Sequence, residues 1–151
     1  MAFSSSWTFI AAPAVLAADL SLRWRRDVWL AGQITGVEGY AESAAVGLVA
    51  ALSMLARLDG RPFTPPPRTT MIGALLAYLR EADPATFQPM NSNFGLLPPL
   101  APVAADGSGP RRGRQGRGER REALVTRARA ALADWAAEHP LGARAPVTVP
   151  G

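Results

Sequence analysis

Cysteine and lysine are both missing from these 151 residues, and histidine occurs once. Without cysteine the chain can hold no disulfide framework, no thiolate metal site and no cysteine nucleophile. The lone His139 sits beside Pro140 near the end of the chain, so no metal centre is expected. The missing lysine carries a different message. All 16 basic residues are Arg, and with the abundant Ala, Gly and Pro this points to a GC-rich coding sequence. Part of the arginine enrichment is therefore compositional. No strand–GxGxxG–helix dinucleotide turn occurs, and the tract Gly113 to Gly118 does not qualify, being Arg-rich and following no strand. No internal repeat is visible. The uncharged run from Ser43 to Ala56 reads as too short to span a bilayer. It is expected to be a buried helix of a soluble protein, with no membrane partner.

The apolar stretch Trp7 to Leu16 has the look of a secretory signal. Met1 to Ser6 carries no basic residue, however, and Pro13 interrupts the run. The expected location is cytoplasmic. Residues 1–22 then read as an extended N-terminal segment from Trp7 to Ile10, a turn at Pro13 and a short helical stretch through Leu22.

What is present is enough for one domain with a modest core: 48% of residues are hydrophobic, though 14 Gly and 14 Pro break the chain often. The net charge of +4 is uneven. Residues 111–121 hold six Arg and one Glu, whereas the rest holds ten Arg against eleven acids. The basicity is a local patch and speaks of a local partner.

The densest signal lies between Val28 and Gly47. Val28 to Ala31 has strand character, and Gly32, Gly36 and Gly39 punctuate the turn that follows. A small-residue helix then runs to about Leu58. Strand, glycine turn and helix can present bare amides and a helix N-terminus to an anion or a polar cofactor edge. Thr35 and Glu38 have capping-box spacing. Glu38 reads equally as a cap partner or a site residue, and Tyr40 as a packed aromatic or a functional one. Leu48, Leu52 and Leu55 form the apparent apolar stripe.

Further on, Pro65 to Pro67 favours an extended connection. A second helix is predicted from Thr70 to Glu81, capped by Thr69 or Thr70, with Ile72, Leu75, Leu76 and Leu79 facing the core. Phe87 to Leu100 is too rich in Pro, Asn and Gly for regular structure and too apolar for a free linker. It reads as an ordered, packed loop or as one lining a site, with Asn91, Asn93 and Phe94 as the lining candidates. Residues 101–118 read as a disordered Arg/Gly-rich linker, 119–139 as a C-terminal helix and 140–151 as a tail. In the basic tract, Arg111, Arg112, Arg114, Arg117, Arg120 and Arg121 are either solvated or aimed at RNA phosphates. One strand among helices leaves backbone groups unpaired, so its partner is either Trp7 to Ile10 or a sheet outside this chain.

The run Ala31-Gly-Gln-Ile-Thr-Gly-Val-Glu-Gly-Tyr40, followed by Glu42-Ser-Ala-Ala45, resembles the C-terminal part of the TrmFO family. Ile72 to Leu76, Phe87 to Asn91 and Asn93 to Leu96 agree in order and spacing, as do Thr8 to Ile10 and Pro13 upstream. The related MnmG (GidA) family shares the outline only. The resemblance implies an α/β, glutathione-reductase-like FAD-binding fold, of which this chain would be a mostly helical C-terminal fragment with one or two short strands. Residues 23–100 would complete the FAD-binding domain. It implies a tRNA (uracil-C5)-methyltransferase using methylenetetrahydrofolate, FAD and NAD(P)H to make ribothymidine in the T-loop. Gly32, Gln33, Thr35, Gly36, Glu38, Gly39 and Tyr40 would be cofactor-binding. The family's dinucleotide turn and cysteines have no counterpart here, and Ala11 stands where the family usually shows Asn. The chain alone is therefore expected to be inactive, with catalytic residues unassigned and a separate N-terminal FAD-binding polypeptide as a candidate partner. The other readings are a non-catalytic helical RNA-binding or accessory module and a piece of a related tRNA-modifying flavoprotein.

Overall fold

The computed structural model describes residues 9–100 and 114–139. Four α-helices organise them: α1 (Ala12–Val15), α2 (Tyr40–Leu58), α3 (Met71–Glu81) and α4 (Arg114–Glu138). Short 3-10 turns at Gly32–Thr35 and Phe94–Leu96 complete the regular structure. Among the described residues there is no strand, only isolated bridges. The expectation of one or two short strands is thus corrected.

The reason lies in local pairing. Residues 20–30 fold back on themselves: the Leu22 amide donates to Val28 O at 2.9 Å and the Leu30 amide to Leu20 O at 3.1 Å. Ser21 and Trp29 form a single antiparallel bridge. The would-be strand Val28 to Ala31 therefore pairs, among the described residues, with the residues just before it; Trp7 and Thr8 lie outside the described residues. Ile10 does approach the turn, donating to Ile34 O at 2.9 Å. Pro13 opens α1 instead of making a turn, since its missing N–H costs nothing in a first helical turn. Helix α1 ends at Val15, and residues 16–22 are irregular rather than helical.

Helix α3 follows its sequence pattern. Thr70 caps it, its hydroxyl oxygen accepting from the Gly73 amide at 3.0 Å while its O–H donates to Pro67 O at 2.7 Å. Leu75, Leu76 and Leu79 are buried, and Ile72 packs against them. Around these gather Ala12, Leu16, Leu20, Val37, Val46, Val49 and Phe87 as the main core. A smaller cluster of Ala74, Leu97 and Leu124 lies beneath α4.

Helix α2 departs from expectation in which side it buries. Val46, Val49, Ala50, Ser53 and Ala56 point inward, whereas the Leu48, Leu52 and Leu55 stripe lies on the other side. Leu48 is 51% exposed and Leu55 37%. Small inward residues allow close approach of the 19–30 segment: Trp29 Nε1 donates to Ser53 Oγ at 3.2 Å, and Ser53 Oγ donates to Asp19 O at 2.7 Å. The helix is not mainly buried among the described residues, and by length and composition it is long and apolar enough to cross a membrane.

Helix α4 starts at Arg114, so residues 114–118 belong to the helix and not to a linker. Leu124 and Trp135 are buried, while Leu132 remains 41% exposed. Two clips hold it. Trp135 Nε1 donates to Thr64 O at 2.9 Å, and the Arg127 guanidinium donates to Pro98 O and Pro99 O.

Candidate functional site

The glycine turn is built by backbone conformations that other residues resist. Gly32, Gly36 and Gly39 have φ of 76°, 84° and 93°. Thr35 is fully buried and donates from Oγ1 to Gly32 O at 2.7 Å, locking the 3-10 turn shut. The capping box does not form. Gly36, left-handed, sits between Thr35 and the helix, so Gly39 becomes the N-cap and no side chain bonds there as a cap. Glu38 is exposed.

The turn is pinned to the Phe87–Leu100 loop. The Met90 amide donates to Gly36 O at 2.9 Å and the Glu38 amide to Met90 O at 3.1 Å, with Val37 and Met90 in a parallel bridge. A Cβ on Gly36 would lie 2.6 Å from the Phe87 ring. A Cβ on Gly39 would collide with the Glu42 carboxylate and stand 2.9 Å from Asn91 Oδ1. Both glycines are thus required by the chain's own packing, and not only by room for a ligand.

At the start of α2, Ser92 Oγ donates to Glu42 Oε1 at 2.7 Å. That hydroxyl and Glu42's own backbone amide hold its carboxyl below the usual value, and the positive end of the helix favours the same charge state. Ser43 Oγ, beside Gly32, is buried with no hydrogen-bond partner among the described residues. Ser92 carried no signal in the sequence beyond standing between two asparagines.

The predicted residues divide accordingly. Gln33, Glu38 and Tyr40 are exposed, with Tyr40 at 93%, as is Asn91. Gly32, Thr35 and Gly36 are buried and shape the turn from within. Asn93 caps the Phe94–Leu96 turn, accepting from the Gly95 amide at 2.9 Å. Phe94 packs in the cluster beneath α4, with the Arg121 guanidinium 5.2 Å from its ring centre. Only Asn91 of the three loop candidates therefore joins the glycine turn. Arg117, Arg120 and Arg121 are exposed on α4, Arg114 opens that helix, and Arg111 and Arg112 lie outside the described residues.

A flavin fits this surface as one open wall. The amides of the first α2 turn and the carboxamides of Gln33 and Asn91 suit the polar edge of a neutral heterocycle. The turn supplies no charge for a diphosphate, since residues 31–43 contain no basic side chain and Glu42 already stands at the helix start. Among the described residues no group of His, Asp and Glu is placed to hold a metal.

The site is thus a glycine turn feeding a helix N-terminus and braced by a second loop. Residues 1–62 match the family described as Glucose inhibited division protein A. The chain is further similar to the methylenetetrahydrofolate--tRNA-(uracil-5-)-methyltransferase TrmFO of Anaeromyxobacter dehalogenans strain 2CP-1, at 53% identity over 131 residues. That match covers 85% of this chain and 27% of the relative. The TrmFO of Dinoroseobacter shibae is 46% identical over 137 residues, covering 90% of this chain and 29% of the relative. Methylobacterium radiotolerans TrmFO is 46% identical over 138 residues, 85% of this chain and 29% of the relative. The chain is similar to these TrmFO proteins over most of its own length, and it spans little more than a quarter of theirs.

Proposed function

We propose that this chain supplies one wall of the flavin site in a folate- and FAD-dependent tRNA (uracil-C5)-methyltransferase, as the C-terminal part of a glutathione-reductase-like fold. The supporting observation is the 32–40 turn, held by the 90–92 loop, within a chain 53% identical over 131 residues to a TrmFO. Gln33 and Asn91 would orient the flavin's polar edge beside the first turn of α2. Bound flavin would supply reducing equivalents drawn from NAD(P)H, with methylenetetrahydrofolate as the carbon donor. This chain's residues bind and orient; no nucleophile–base pair stands out among the described residues. The remaining parts of the site come from residues matching the rest of a TrmFO protein, on the same or a separate polypeptide.

The substrate would be tRNA, with Arg117, Arg120 and Arg121 on α4 contacting phosphates. Replacing all three by Ala should weaken tRNA binding and flatten its dependence on salt by about one to three counterions. An unchanged slope would return these arginines to a solvated role and favour a purely structural α4.

The test of activity pairs this chain with the portion of the Anaeromyxobacter relative outside the matched stretch. FAD, methylenetetrahydrofolate and NADH are added to an unmodified tRNA transcript, and ribothymidine is measured. The pair should form it and the chain alone should not. A stable pair that leaves uridine unmodified, while the intact relative methylates it, would overturn the proposal.

A further inference from the structure

Helix α2 is apolar on every side, with no charged residue from Ser43 to Ala56. Its inward side is covered by the core, yet the opposite side is open: Leu48 is 51% exposed, Leu55 37% and Leu58 67%. Beside this stripe, with Ala45 as its one α2 residue, an apolar groove of about 390 Å³ lies between the start of α3, the Phe94–Leu97 segment and α4. Met71, Ile72, Phe94, Val125 and Leu132 line that groove, and Arg129 is its one charged lining residue. A helix that is apolar all round belongs in the interior of a larger protein or in a bilayer. A stripe of this kind left in water is an interaction site or an aggregation liability.

The relatives decide between these settings. Each carries the matching stretch within a polypeptide of which this chain covers only 27% or 29%. We infer that the outward face of α2, with the adjoining groove, is the docking surface for the part of a TrmFO-type protein that lies outside the matched stretch. The inference rests on the proposed TrmFO reading and adds to it the surface through which the two parts join. The occupant presents an apolar face to Leu48 and Leu55 and fills the groove against Val125 and Leu132. Burial of α2 on both sides also fixes the direction of its N-terminus, and with it the glycine turn.

The test co-expresses the full chain with the complementary portion of the Anaeromyxobacter dehalogenans 2CP-1 relative and measures the dissociation constant of the purified pair. Leu48→Asp and Leu55→Asp should each weaken association at least tenfold, whereas Ala85→Asp, on the exposed turn after α3, should change it less than twofold. Both positions on α2 are solvent-exposed in the chain by itself, so circular dichroism of the variants should match the parent. Failure of the parent pair to associate, or equal affinity of all variants, would overturn the inference. So would self-association of the chain through α2, or stronger partition of the chain into phosphatidylcholine–phosphatidylglycerol vesicles than into the complex. A pair that associates in this way but makes no ribothymidine would retain the docking surface and remove the activity. A methylating pair indifferent to Leu48→Asp and Leu55→Asp would do the reverse.

Discussion

The two sides of α2 are drawn from nearly the same residue types, yet Val46, Val49 and Ala50 lie in the core while Leu48, Leu55 and Leu58 face water. In α3 the two sides differ in character: Arg80 and Glu81 mark the outside, and Leu75 and Leu79 mark the inside. The contrast separates two kinds of helix. Helix α3 carries charge on its outside, whereas α2 has one covered side and one apolar side open to water. The smaller residues face inward because the 19–30 segment must approach closely enough for Trp29 and Ser53 to meet.

This difference can be broken by substitution. Val46→Asp, at a fully buried position, should destabilise the chain by at least about 3 kcal/mol, because an unpaired carboxylate cannot be accommodated there. Urea denaturation measures it, and a loss under about 1 kcal/mol would mean that the inner side is not the packed one. Gly36→Ala combines a left-handed backbone with a collision against the Phe87 ring, and should cost about 2 kcal/mol. The same denaturation series checks it.

Ser92→Ala should cost about 1 kcal/mol by removing the hydrogen bond to Glu42. It has a pH signature. Glu42's folded pKa is depressed from 4.5, so its stabilisation is complete above that value and is lost as the pH falls through the lowered folded pKa. Acid should therefore narrow the gap between parent and variant, and a constant gap would detach Glu42 from the effect. The smallest change is expected on the outer side of α2. Leu48→Asp should shift the stability of the chain alone by no more than about 0.5 kcal/mol, as an exposed position allows.

How much of this was legible follows from where polar residues stand. In α3 a Thr cap and an amphipathic pattern gave the helix its start, its core side and its end. In α2 the period identified Leu48, Leu52 and Leu55 as one stripe, but no charged residue marked which side met water. The Thr35–Glu38 spacing suggested a capping box, and left-handed Gly36 removed it by turning the chain between them. Val28 to Ala31 forms no strand: its one bridge, from Trp29 to Ser21, is to the adjacent segment, which alternation alone does not reveal. In the candidate site, the glycine positions and the packed character of the Asn-rich loop were readable from composition. The contact of Met90 with Gly36 and Glu38, and of Ser92 with Glu42, depends on a meeting of residues about fifty apart, for which spacing gives no sign.

The central claim is that the 32–40 turn is one wall of a flavin site completed by residues outside this chain. Visible flavin absorbance in the purified pair tests it most directly, measured beside this chain alone and a pair carrying Gly39→Val. The account predicts bound flavin in the pair, none with the chain alone, and a marked loss with Gly39→Val, whose side chain would strike Glu42 and Asn91. A colourless pair, or stoichiometric flavin held by this chain by itself, would contradict it.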